Sequence, residues 1–277
     1  SGTLYDGLGK FFTPRSSTYY RPAFIGGIGY TGDTYSAKIG YKRISPDYRS
    51  LGAYFFNNDV EEITLNLSKS FFKGKVNFSG SGGGQRNNLA NELATNTSRI
   101  VGSANLAMVL SPTWNLAING SNFSSFLRVE QNLLSDSLNF YQVSRNFGGS
   151  ITHLLGDDDS RHTLNLSAAY QQANSRKEYS VDFDDVTNFY NLTLGYNLNR
   201  KPKGLTVGLS LTSGFNLSEA GNAVNTGPVL TASKFFKGKK IKLSGSMSYL
   251  LVFLDGDRSS AVFNNKLKLD LNLWKHH

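Results

Sequence analysis

Apolar and polar residues alternate one for one through long stretches of this chain, and no other feature limits its fold so strongly. In an extended strand successive side chains point to opposite faces, so strict alternation gathers apolar groups on one face. Leu164, Leu166, Ala168 and Tyr170 share one face, while Thr163, Asn165, Ser167 and Gln171 share the other. Tyr190, Leu192, Leu194, Tyr196 and Leu198 repeat the pattern, and so do Phe263, Leu267, Leu269, Leu271 and Leu273. The periodicity predicts thirteen strands, over 17–31, 34–44, 61–72, 75–84, 98–111, 114–127, 140–155, 161–174, 187–200, 205–218, 227–236, 241–254 and 261–274. Strands of soluble domains average roughly five or six residues. A strand crossing a bilayer needs roughly nine to eleven. Most of these segments reach that length, so their apolar face is expected to meet lipid.

Composition removes the competing classes. Mean hydropathy is -0.31 over 277 residues, and no apolar run approaches the ~20 residues of a membrane helix. Gly (28), Tyr (14) and Phe (19) are plentiful and Pro is scarce (6), as suits a chain of strands and turns. The absence of cysteine rules out disulfide frameworks, zinc-thiolate sites and cysteine nucleophiles. The formal charge is +9, but the cations are scattered among turns and alternating strand positions. No basic helix face or stacking platform for nucleic acid is present.

The expected fold is therefore all-β: an antiparallel transmembrane β-barrel of about 13–14 strands. Its domains are an N-terminal loop or plug segment, 1–15, and the barrel, 16–277. Connections alternate in length. Short turns are expected at 32–33, 73–74, 112–113, 157–160, 201–204 and 237–240. Long loops are expected at 45–60, 85–97, 128–139, 175–186, 219–226 and 255–260. Outer-membrane barrels have short periplasmic turns and long surface loops. That orientation puts residue 1 near the cell surface and the C-terminus near the periplasm. First and last strands then run the same way, whereas a closed bacterial barrel has an even number of strands. A further upstream strand is expected, which would make the chain the C-terminal part of a larger barrel protein.

Several segments are candidates for function. The pair FFKGK, at 71–75 and 235–239, ends a strand in two rings and turns on Lys-Gly. Phe71, Phe72, Phe235, Phe236 and Trp274 are expected interfacial aromatics, which favour the headgroup boundary. Loop 45–60 is unusually apolar. Tyr48, Leu51, Tyr54, Phe55 and Phe56 could form a constriction in the lumen, dock a surface partner, or prolong the strands. Lys38, Lys42, Lys242, Lys266 and Lys268, with Asp270, fall on the polar, lumen-side register.

Other motifs have plain readings. Gly80, Gly82, Gly83 and Gly84 lack the Lys-Ser/Thr and helix of a phosphate loop and suit bending or close approach in a barrel wall. Asp157–Asp159 and the cluster Asp182, Asp184 and Asp185 read as solvated turns, with divalent bridging of lipopolysaccharide the alternative at the second. His153 and His162 flank one turn with no assignable serine or acid partner. The sequence calls for no enzyme activity, metal or cofactor.

The segments ISPDYRSLGAYFFNND (44–59) and FFKGKVNFSGSGGGQRNNL (71–89), with SLNFYQVSRNFGGS and RHTLNLSAAYQQAN, resemble a recurrent pattern in uncharacterised outer-membrane barrels of the Bacteroidota. The resemblance implies a barrel in a Gram-negative outer membrane, associated with secretion, gliding or barrel-assembly machinery. Two functions are expected to compete. One is a structural or docking subunit of an envelope complex, its lumen plugged. The other is a passive porin-like channel of weak anion preference. Expected partners are outer-membrane lipid and lipopolysaccharide, and a protein or upstream segment that completes the barrel, with no nucleic acid.

Overall fold

The computed structural model describes residues 21–48, 58–129, 139–177, 185–219, 221–236 and 240–271. They form a single antiparallel sheet of thirteen strands, each paired with its neighbours in chain order. The strands are β1 (Ala23–Thr31), β2 (Tyr35–Ile44), β3 (Val60–Phe71), β4 (Val76–Asn87), β5 (Thr95–Ser111), β6 (Trp114–Val129) and β7 (Phe140–Gly156). They continue with β8 (Ser160–Lys177), β9 (Asp185–Arg200), β10 (Leu205–Ser218), β11 (Gly221–Phe236), β12 (Ile241–Leu254) and β13 (Asp257–Leu271). The strands are long because nothing in the alternating segments offers the backbone a better partner than its neighbour. The first runs 9 residues and β8 runs 18.

Register carries the alternation across the whole sheet. One row of facing residues runs Asn105, Asn119, Gly148, Ala169, Asn191, Gly214 and Asn225 from β5 to β11. The next row runs Leu106, Ile118, Gly149 and Ala168 to Leu192. A slip of one residue in any ladder would exchange the two faces, and the register shifts only at the hairpin ends of two ladders, at Val109–Ser111 beside β6 and at Val252–Phe253 beside β13. Where β11 meets β12 the ladder is interrupted at Gly227 and Pro228. A Cβ on Gly227 would overlap the Tyr249 carbonyl oxygen, and Pro228 has no N–H to give.

Two expected long loops prove to be tight turns. Residues 221–226 continue β11, paired up to Ser218↔Gly221. Asp255 and Gly256 alone join β12 to β13. Both have positive φ, 49° and 95°, the type I′ geometry that matches strand twist. The Asp255 carboxylate accepts the Asn222 N–H at 2.8 Å. Their polar, glycine-containing sequences resemble loop, but here the backbone ladder continues. The long connection 88–94, by contrast, is fastened. Asp59 accepts the N–H groups of Asn88 and Leu89 at 2.9 and 2.8 Å, and Asn88 exchanges two hydrogen bonds with Leu93.

The expected N-terminal segment 1–15 and the acidic cluster at 182–184 lie outside the described residues, as do Leu51, Tyr54, Phe55, Phe56 and Trp274.

Placing a charge on either face separates the two environments. Leu194→Arg, in the middle of the apolar face of β9, is expected to destabilise the folded chain by about 2–4 kcal/mol in vesicles. Thr193→Arg, one residue away on the opposite face, is expected to cost far less. Denaturant titration of both variants in the same lipid checks the difference.

Candidate functional site

Neither face of the sheet covers a hydrophobic core. Among the described residues only Ile44, Val60 and Val143 are buried hydrophobics, while Leu192, Leu194, Leu209 and Leu211 are each roughly half exposed. Soluble monomers do not leave so large an apolar surface bare. The partner of this face is hydrocarbon, and the chain is the wall of a membrane β-barrel.

Rings mark both margins of the apolar face. At the short-turn end Tyr30 and Tyr35 lie 5.5 Å apart, and Trp114 stacks on His153 at 4.1 Å. His162 Nδ1 lies 2.7 Å from the Tyr196 hydroxyl. The ammonium groups of Lys69 and Lys234 sit over the rings of Phe71 and Phe236. At the long-loop end Phe24 meets Tyr41, and Tyr170 lies between Phe147 and Tyr190 at 6.5 and 4.9 Å. Between the margins β8 presents Leu164, Leu166 and Ala168. From His162 to Tyr170 the strand runs roughly 27 Å at ~3.3 Å per residue, and a tilt of about 40° brings that near the height of an apolar membrane band. Phe71 and Phe236, two of the expected interfacial aromatics, lie on the outward face at the short-turn end. Phe72 lies in the turn, exposed, at φ 52°. Phe235 is on the other face, opposite Lys242, whose ammonium lies 5.3 Å from its ring. The two histidines face outward among these rings, so their contacts are those of interfacial aromatics.

The opposite face is polar and small-residued. Lys38 and Lys42 lie on it in β2, Lys242 in β12, and Lys266, Lys268 and Asp270 in β13. Lys268 pairs with Asp270 at 2.6 Å, and Lys42 is opposite Glu62. Lys38 and Lys266 have no carboxylate partner among the described residues. These cations gather beside the two margins of the sheet. Between β4 and β11 this face carries Arg99 and Arg161, with Lys177 and Asp185 in the same register at the far ends of β8 and β9, amid many Ser, Thr, Asn and Gly.

The turn Asp157–Asp159 uses its acids locally. Asp157 Oδ1 accepts the N–H groups of Ser160 and Asp159 at 2.7 and 3.1 Å. Asp158 is within 3.4 Å of Arg161 and 3.9 Å of Lys201. Of the apolar loop 45–60, Tyr48 is described; its N–H bonds the Ser45 carbonyl in a turn.

No known protein family matches this chain, and no curated protein does. Similar solved structures include the ferric preacinetobactin receptor BauA of Acinetobacter baumannii, at 9% identity and TM-score 0.49, over 91% of this chain and 52% of that one. The ferric-catecholate import receptor Fiu of E. coli K12 is similar at 7% identity and TM-score 0.44, over 94% and 63%. LpxR of Salmonella typhimurium is similar at 7% identity and TM-score 0.29, over 75% and 87%. The chain spans between half and two thirds of the two receptors' length.

The hydrogen bonds from Ser160 and Asp159 hold the Asp157 carboxyl below the usual carboxylate range. Its folded value is depressed, so its contribution to the turn is complete above the unfolded value near ~3.9 and is lost as pH falls through the folded value. A carboxyl titration of Asp157 by NMR in micelles is expected to give a midpoint below that unfolded value. Asp157→Asn, which keeps the acceptor, is expected to remove the pH dependence and retain the turn.

Proposed function

We propose that this chain is an outer-membrane barrel wall acting as a structural or docking subunit of a larger envelope complex, of the secretion, gliding or barrel-assembly kind. The observation that carries the reading is a pair of unfilled margins. Among the described residues β1 pairs only with β2 and β13 only with β12. Ile28 and Leu267, on these two strands, are 74% and 75% exposed. Both strands run toward the short-turn end, so direct pairing of one with the other would be parallel. An odd number of further strands between them restores antiparallel neighbours throughout. A bare margin in hydrocarbon would cost several kcal/mol for each unsatisfied backbone group. The closing strands come from polypeptide upstream of β1 or from a second chain. A second chain in that place makes the wall one component of a complex.

Three measurements test this. The chain has no native cysteine, so Ile28→Cys/Leu267→Cys reports on the margins alone. No intramolecular disulfide is expected, and efficient formation would mean that β1 and β13 pair directly. Co-purification from native membranes is expected to bring down a stoichiometric protein partner or a longer product of the same chain. The isolated chain in planar bilayers is expected to pass no steady current.

The lysines on the polar face favour a second reading, a porin-like diffusion channel. More than eight strands enclose space beyond what their side chains fill, and like charges facing one lumen raise the local counter-ion concentration. On this reading a steady conductance with weak anion preference is expected. Lys38→Glu/Lys266→Glu is expected to move the reversal potential in a salt gradient toward cations, and an unchanged potential counts against a lumen position for these groups.

A further inference from the structure

The outward face changes character one step beyond its upper ring margin. The next outward residue after Tyr41 is Arg43, after Phe147 Arg145, after Tyr170 Gln172, and after Tyr190 Asn188. Arg43 and Arg86 are neutralised in part by Glu61, which lies between them in the ladder and accepts the Tyr41 hydroxyl at 2.7 Å. Arg128 and Arg145, on β6 and β7, are exposed and have no carboxylate partner among the described residues.

These two arginines line one cavity of about 780 Å³ with Phe126, Tyr141, Val143 and Val186. Phe126 and Tyr141 meet edge to face at 4.5 Å and form one side of it. Asn174, also in the lining, has its side-chain carbonyl oxygen buried with no hydrogen-bond partner. By register Phe126, Tyr141, Val143, Arg145 and Val186 all project from the lipid-facing side of the sheet. An apolar hollow, two guanidinium groups without a carboxylate partner among the described residues and an orphan acceptor thus line one cavity, with Arg145 one outward step above the ring margin and Arg128 three steps further up.

We infer that this cavity binds a phosphorylated glycolipid of the adjoining leaflet. Its phosphate groups sit on Arg145 and Arg128, a hydroxyl or amide N–H of its sugar donates to Asn174, and an acyl chain packs against Phe126, Val143 and, lower down, Phe147. Arginine suits phosphate because its planar fork gives two parallel charge-assisted hydrogen bonds. A phospholipid whose headgroup carries no donor, such as phosphatidylmethanol, would satisfy the cations but leave the Asn174 acceptor unpaired. The inference rests on the membrane-wall reading above.

The test uses the wall purified from native membranes together with the polypeptide that fills its margins, reconstituted into zwitterionic vesicles doped with equal amounts of lipid A and phosphatidylmethanol, with retained lipid read by native mass spectrometry after detergent extraction. Circular dichroism and protease protection first establish insertion. Failure to insert overturns the membrane wall and the site with it. With insertion established, preferential retention of lipid A is expected. Arg128→Gln/Arg145→Gln is expected to lower retention by about tenfold, and the lysine pair to retain more than the glutamine pair. Asn174→Leu, with both arginines intact, is expected to abolish the preference for lipid A over phosphatidylmethanol. Equal retention by wild type and the glutamine variant, equal retention of the two lipids by wild type, or displacement by millimolar inorganic phosphate would each overturn the site while leaving the barrel wall standing.

Discussion

Backbone hydrogen bonding without water is the constraint on which the rest depends. In hydrocarbon every N–H and C=O must find its partner within the protein. The thirteen strands meet this by pairing each with its successor, without a crossover. Once that ladder is fixed, side-chain placement follows from parity. Neighbouring rows of residues are committed to lipid or to the interior from β1 to β13. The packing that holds a soluble domain together is absent here, and the apolar face is stabilised by solvation in lipid instead.

The same constraint explains where glycine and proline sit. Gly227 admits the Tyr249 carbonyl at a place where Pro228 has withdrawn a donor, so one local departure is matched by another. At the turns, polar side chains take over from the ladder. Asp157 closes the β7–β8 hairpin, Asp255 ties its own turn to Asn222, and Asp59 fastens the connection ahead of β5.

Much of this was legible in the sequence because period two is a direct image of the pleat. Every strand was anticipated, and β10 and β12 match to the residue. The errors fell at hairpin tips. Asp255-Gly256 is the dipeptide most typical of a type I′ turn, yet the polar run after it obscured the hairpin. Gly221–Thr226 lack the alternation that marked other strands, and only the partner β10 makes them a strand. At the candidate lipid site, Arg145 precedes Phe147 with one residue between, a legible pair. What could not be read was that Arg128, seventeen positions earlier in the chain, shares its cavity, since strands β6 and β7 meet only through their register. Asn174 lay hidden for the same reason.

The strands grow from 9 residues in β1 to 18 in β8 and stay at 14 to 16 from β9 to β13. All begin or end near one level at the short-turn side, so the surplus accumulates at the other. Nine additional residues are roughly 30 Å of extended chain. Among the described residues the ladder therefore reaches furthest past the apolar face at β5 to β9. There the outward row turns to Asn122, Ser124, Gln172 and Asn188, so a strand that has left the hydrocarbon can be polar on both of its faces while the same backbone ladder continues.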